Sequence, residues 1–289
     1  MSEQAVRLER GSHYDLDNLA TFIAWSGFIV VVLIFVWILG EILVNGISVI
    51  SWEFLTESPG NAGRSGGILP ILVSTGVIVF ICLAFALPMG VATAVYLNEY
   101  TLKDSRFAKF INISIDVLAA IPSIIYGLFG FVFFNNVLGF GFSLLSGGLT
   151  LACMVLPFVI RASIDGLKAV PDAYRESSTA LAMSKSASLF YVIIPSAMPG
   201  IIAGFLLGIG RALAETAALL FTSGYVDRMP SGVMDSGRAL SIHVYDLAMN
   251  VSGGDANAYG SAFVLIVVLL VVNSMAIYIG NKIQRRQLR

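Results

Sequence analysis

The sequence predicts an all-α membrane protein, a polytopic bundle of six transmembrane helices, on three observations. Of its 289 residues, 57% are hydrophobic and only 12% charged. A soluble domain carries about 25% charged residues, so part of this chain's solvent is lipid. Six apolar segments reach the ~20 residues that a helix needs to cross the hydrocarbon core. Lysine and arginine gather in alternate connections between them.

The segments are 22–44, 68–96, 111–134, 144–164, 199–221 and 259–279. The first is longer than a signal-peptide core and no small-residue cleavage site follows it. It is expected to be a retained anchor behind a polar tail, residues 1–21. The second is long enough to tilt. The fourth has the least distinct start, because Ser143, Ser146, Gly147 and Gly148 dilute it.

Arg7 and Arg10 mark the amino tail, and Lys103, Arg106 and Lys109 the connection after the second segment. Lys168, Arg175 and Lys185 follow the fourth, and Lys282, Arg285, Arg286 and Arg289 the sixth. The other connections hold only Arg64, Arg228 and Arg238. Both termini, including the basic tail 283–289, are therefore expected in the cytoplasm. The outer connections 46–66 and 223–257 are polar and turn-rich, and suit a soluble partner.

Composition also excludes classes. A net charge of -1 offers no field for nucleic acid. Cys82 and Cys153 lie in apolar runs and read as small hydrophobes. His13 and His243 are far apart in sequence, so no metal site or catalytic triad is expected, and no cofactor. No lysine follows a glycine, so the chain has no P-loop. ATP-driven work would need a separate subunit.

Two stretches carry the functional signal. In the fifth segment, Arg211 is a cation near mid-span, a placement that costs roughly 2.5–3.5 kcal/mol on the insertion scale. Glu215 is four residues on, so both side chains are expected on one helix face, where they partly neutralise each other. Gly200, Gly204, Gly208 and Ala212 make a small-residue stripe for close helix approach. Two readings stand: an ion pair that locks packing, or an anion site in which the guanidinium fork meets phosphate oxygens. Arg161, at the inner end of the fourth segment, is either a second guanidinium on that route or a positive-inside anchor. Asp116 reads as an interfacial residue, with a partner for arginine as the alternative. Pro88, Pro122 and Pro157 can kink their helices and free carbonyls.

The second stretch is the cytoplasmic connection 165–198. Pro171 and Asp172 suit a helix start, 179–183 a short helix, and Ser184 the cap of another. Glu176-Ser177-Ser178, then Ala182, then Val192, Ile194 and Pro195, keep the spacing of the Glu-Ala-Ala loop that importer-type ABC permeases dock into their ATPase. Alanine at the usual glycine position predicts a right-handed bend. The alternative is an amphipathic loop at the lipid surface.

The stretch from Arg211 through Glu215 and Thr216 to Thr222 resembles a segment of bacterial phosphate-specific permeases, of the A-type subunit more than the C-type. The run from Ala120 through Pro122, Ser123 and Tyr126 resembles another, and Leu240 to Asp246 fits the family's outer loop. The resemblance covers about residues 68–282 and implies a type I ABC importer permease architecture. Ala214 and Ala218 replace the family's glycine and proline, which predicts a straighter helix there. The resemblance implies that Arg161, Arg211 and Glu215 are transport-critical, that Pro122 and Ser123 kink or line the pathway, and that Glu176, Ser177, Ser178, Ala182 and Pro195 belong to the docking loop. It implies as partners a second similar permease, an ATP-binding cassette ATPase dimer, an extracytoplasmic phosphate-binding protein and inorganic phosphate, in a bacterial or archaeal cytoplasmic membrane. Rival readings are a permease for another oxyanion such as molybdate or sulfate, and a channel or secondary transporter that runs without ATP.

Overall fold

The computed structural model describes residues 3–102 and 105–287. The side chains of residues 3–17, 279, 281 and 283–287 lie outside the description, and with them Arg7, Arg10, Arg285 and Arg286. Lys103 and Arg289 lie outside it altogether. Five described helices are long and apolar enough to cross a membrane, and one bent pair makes a sixth crossing if counted as a single span.

Helix α1 (Glu3–Ile47) runs unbroken through the boundary expected at residue 22. Its apolar part, Asn18–Ile47, buries nothing in its hydrophobic window, so it stands outside the bundle. It meets α12 (Asp255–Gln287), where Gly46 lets the Phe263 Cβ approach. The connection after α1 folds into α2 (Trp52–Thr56) and a hairpin of β1 (Pro59–Gly60) and antiparallel β2 (Ser65–Gly66). Ser51 caps α2, its hydroxyl accepting from the Phe54 N–H at 3.0 Å.

Helix α3 (Leu69–Val95) continues into a turn of π-helix, Tyr96–Tyr100. Its chief partner is α6 (Leu144–Lys168), whose apolar window is 67% buried, the highest fraction among the described spans. The polar residues that blur the start of α6 are its cap and its contact surface. The Ser143 hydroxyl accepts from the Ser146 N–H at 3.1 Å. A Cβ on Gly148 would lie 2.6 Å from the Ile81 Cβ, and one on Gly147 2.7 Å from that of Ser223. A helix ringed by protein needs small residues more than a continuous lipid-facing surface.

The third crossing corrects the expected single span at 111–134. Helices α4 (Arg106–Ala120) and α5 (Ser123–Gly130) meet at 99°. Proline disfavours α geometry in the residue before it. Ile121 and Pro122 are accordingly extended, with ψ of 130° and 141°. The Tyr126 hydroxyl donates to the Leu118 carbonyl at 2.9 Å and satisfies one group at the end of α4. A π-turn, Phe131–Val137, follows α5. Pro88 and Pro157, by contrast, lie inside continuous helices.

The connection 165–198 forms α7 (Asp172–Ala180) and α8 (Lys185–Ser188), then a π-turn, Leu189–Ile193. Helix α9 (Ile194–Ala214) follows, so the fifth crossing begins well before residue 199 and Pro195 opens it rather than ending the loop. Helix α10 (Ala217–Thr222) follows, and α11 (Leu240–Met249) packs back against α12 and α3. Helices α6 and α9 pack antiparallel through the small-residue stripe. A Cβ on Gly200 would overlap Gly166, one on Gly204 would lie 3.0 Å from the Ala162 Cβ, and one on Gly208 2.8 Å from Val155 Cγ1.

Gly200→Ala is expected to lower the thermal midpoint of the detergent-purified protein by several degrees, since overpacking costs about 1–3 kcal/mol. Gly27→Ala, with nothing within 4 Å of a new Cβ, is the control and leaves the midpoint unchanged or raised.

Candidate functional site

Helix α9 stops at Ala214 and α10 starts at Ala217, so the Ala214 and Ala218 replacements do not straighten this segment. Glu215 is extended, at φ -75° and ψ 127°. The break corrects the expected ion pair, because Arg211 and Glu215 share a face only in a continuous helix. Among the described ion pairs, none joins the two.

Each charge instead occupies a helix end of opposite sign. Arg211 is in the last turn of α9, where carbonyls make the negative pole. Glu215, which is buried, accepts the Ala218 N–H on Oε1 at 3.1 Å, at the positive start of α10. The Glu215 carbonyl, freed by the break, accepts the Ser241 hydroxyl of α11 at 2.5 Å. At the far end of α10, Asn135 donates to the Phe221 and Thr222 carbonyls at 3.3 and 3.4 Å. Gly127 lets α10 close on α5, since a Cβ there would lie 2.8 Å from the Ala218 Cα.

Arg211 is half-buried, with its guanidinium 4.5 Å above the Phe158 ring. Phe158 is near the centre of the 25-residue α6, so the charge lies well away from both ends of that helix. Its Nε is buried without a hydrogen-bond partner. Stacking on an aromatic face recovers about 0.5–2 kcal/mol. The fork of guanidinium donors is not otherwise spent on a carboxylate.

Arg161 differs. It lies one turn from Phe158 on α6, but it donates to Asn112 at 3.3 Å and forms an ion pair with Asp116. Asp116 is thus the arginine partner rather than a solitary interfacial residue. Arg161 is on α6 and Arg211, on α9, stacks on Phe158 of α6 one turn away; of the two, only Arg161 is paired with a carboxylate among the described ion pairs.

In the connection 165–198, α7 starts at Asp172 as expected but ends at Ala180, before Met183. The Ser184 hydroxyl caps α8 by accepting from the Ala187 N–H at 3.2 Å. Ala182 is left-handed, with φ 53°, which overturns the expected right-handed bend. The Met183 N–H donates to the Ser178 carbonyl and the Ala182 N–H to that of Thr179, at 3.0 and 2.9 Å. That pair of bonds is a Schellman cap, and it holds alanine where glycine is favoured at a cost of about 1–2 kcal/mol. Glu176, Ser177 and Ala182 are exposed, Pro195 is half-buried, and Ser178 is buried with its hydroxyl on the Tyr174 carbonyl. Tyr174 and Leu181 add exposed apolar surface.

Sequence reasoning missed a polar cluster under the outer face. Arg238 donates to Asp246 at 3.0 Å and twice to the Tyr225 carbonyl, and its guanidinium lies over the Tyr225 ring. The Tyr225 hydroxyl and the Asn250 amide both donate to Asp246. His243 lies beside Arg238, beneath Gly63 of the hairpin. The Arg-Asp spacing of eight, on either side of a helix start, gave no periodic signal. Burial, with the Arg238 charge adding, brings the His243 imidazole from 6.5 down to about 4.

The unfolded chain therefore takes up the His243 proton earlier than the folded one. Stability from this group is complete above about pH 6.5 and falls as pH drops toward 4. A thermal-midpoint series across that window should show a shallower decline for His243→Gln than for the unsubstituted protein.

The description "Binding-protein-dependent transport system inner membrane component" matches residues 86–289. A Bacillus subtilis (strain 168) protein named "Probable ABC transporter permease protein YqgI" is 31% identical over 93% of this chain and 97% of its own. The Mycobacterium tuberculosis (strain CDC 1551 / Oshkosh) phosphate transport system permease protein PstA 1 is 32% identical over 94% of this chain and 90% of its own. Among solved structures, a bacterial alginate ABC transporter in complex with its alginate pentasaccharide-bound periplasmic protein gives a TM-score of 0.65 at 15% identity, over 90% of this chain and 95% of that one. The inward-facing MetNI methionine ABC transporter gives 0.54 at 19% identity, over 77% and 95%. These likenesses show the fold of type I ABC importer permeases. The chain belongs to the binding-protein-dependent transport system inner membrane components, as a multi-pass permease subunit of an ABC importer.

Proposed function

We propose that the chain is a permease subunit of an ATP-driven importer of inorganic phosphate and forms half of its pathway beside a second, similar permease. The observation that carries this reading is the Arg211 guanidinium, held well away from both ends of α6 with a buried, partnerless Nε and no carboxylate on its fork. A cation there is worth its insertion cost if an anion passes it. The relatives named as phosphate transport permeases support phosphate as that anion.

Both termini face the cytoplasm in this reading, where an ATPase dimer receives the exposed side of α7 and α8. An extracytoplasmic phosphate-binding protein docks over α2, the hairpin and α11. Arg211 binds phosphate briefly and weakly, because tight binding would block release. Arg161 holds the inner part of α6 through Asp116 and Asn112 and adds positive potential. ATP shifts the populations of two conformations that differ in affinity for nucleotide and for anion.

Phosphate uptake by cells carrying Arg211→Ala, at matched membrane abundance, should fall at least tenfold. Near-normal uptake would overturn the anion site. The rival oxyanions are decided by the same assay with labelled sulfate and molybdate, and an ATP-independent route by uptake after ATP depletion.

Glu215 supplies a selectivity device. Phosphate near neutral pH retains a proton that a carboxylate accepts, whereas sulfate meets that carboxylate with repulsion. Glu215→Gln is expected to raise sulfate uptake relative to phosphate while phosphate uptake persists. An unchanged ratio would put selectivity wholly in the binding protein.

A further inference from the structure

Arg175 stands one residue before the exposed Glu176, yet its side chain turns inward and is only 27% exposed. A guanidinium has five N–H donors. Nε donates to Glu99 Oε2 at 3.3 Å and Nη2 to Glu99 Oε1 at 2.7 Å. Nη2 also donates to the Leu167 carbonyl at 3.1 Å, and Nη1 to the Val170 carbonyl at 3.0 Å and to Asp172 at 3.1 Å. These five bonds match the donor count.

The acceptors belong to separate elements. Glu99 is in the π-turn that ends α3, Leu167 is in the last turn of α6, Val170 is in the short connection after it, and Asp172 opens α7. The Glu99 side chain is 12% exposed, so the bidentate pair is screened from water far better than a surface ion pair. A second link runs parallel: the Lys185 ammonium at the start of α8 sits 4.1 Å above the Tyr100 ring. A cavity of about 340 Å³ lies between the two links, lined by Glu99, Tyr100, Arg175, Thr179, Met183 and Lys185 among others. Without these links, α7 and α8 would join the bundle mainly through their own chain ends.

We infer that Arg175 is the positioning residue that makes the docking loop and the inner ends of α3 and α6 move as one body, so that a displacement of α7 becomes a displacement of the membrane helices. The inference rests on the permease reading above and adds the part that transmits the motion. Lysine cannot replace it, since three donors on one nitrogen cannot reach a carboxylate and two carbonyls on different elements in a planar fork. With the tie cut, α7 follows the ATPase while α3 and α6 lag, and ATP is hydrolysed without reorienting the pathway.

The test uses proteoliposomes holding the complete importer, with its partner subunits and binding protein, and measures inorganic phosphate uptake per ATP hydrolysed. Arg175→Ala and Arg175→Lys should keep ATP hydrolysis within about twofold while uptake per ATP falls at least tenfold. Glu99→Gln, which keeps the side chain's shape, should lower the ratio about threefold or more. It decides the matter if the arginine variants do not assemble. An unchanged ratio, or a parallel loss of hydrolysis and uptake in Glu99→Gln, overturns the tie and leaves the transport reading intact. Failure of the unsubstituted importer to take up phosphate with ATP overturns both.

Discussion

The break between α9 and α10 is the constraint on which the membrane interior depends. A continuous helix through residues 194–222 would set Arg211 and Glu215 on one face and let them neutralise each other. Interrupting it at Glu215 places the cation at a helix C-terminus and the anion at a helix N-terminus. Each charge is then stabilised by the backbone of its own half-helix. The cation remains electrostatically available because its compensation comes from dipoles and an aromatic face, not from a partner charge that would occupy its donors.

A broken helix in hydrocarbon must satisfy the groups it frees. The surrounding elements are arranged to do so. Ser241 reaches the Glu215 carbonyl from α11, and Asn135 reaches the end of α10 from the π-turn after α5. The Leu240 N–H at the start of α11 donates to Thr75 of α3 at 2.8 Å. These contacts explain why α11 turns back into the protein: its first turn is buried and linked on both sides. The Arg238–Asp246 cluster then anchors its outer half.

Most of the crossings were legible in the sequence, because twenty-residue apolar runs have few other uses and the lysines and arginines alternate between loops. What escaped was set by tertiary contact. Helix α6 looked the least certain because a helix surrounded by protein shows glycines and serines where a lipid-facing one shows leucine. The bend at Pro122 was readable as a kink, but its 99° depends on how α4 and α5 pack. Arg211 was found by its charge alone. Its separation from Glu215 was not, since periodicity presumes a continuous helix. Ala182 misled for a related reason: two hydrogen bonds of the Schellman cap impose a left-handed backbone that alanine alone avoids. Arg175 reads in the sequence only as a loop charge, because its chief acceptor, the Glu99 carboxylate, lies 76 residues away.

The small-residue contact between α6 and α9 joins the two ends of the protein mechanically. Gly166 against Gly200 and Ala162 against Gly204 leave no room for one helix to slide past the other without backbone collision. Arg175 grips the inner end of α6, and Phe158 on the same helix carries the Arg211 guanidinium. In the proposed importer, a tilt of α7 therefore reaches Arg211 along one stiff pair of helices instead of being absorbed in soft side-chain contacts. Helix α1 lies outside this pair and joins the bundle through α12, where Gly46 is buried against Phe263. In the proposed importer the chemistry of the site and the mechanics of coupling meet on α6, which the glycines of α9 hold at close range.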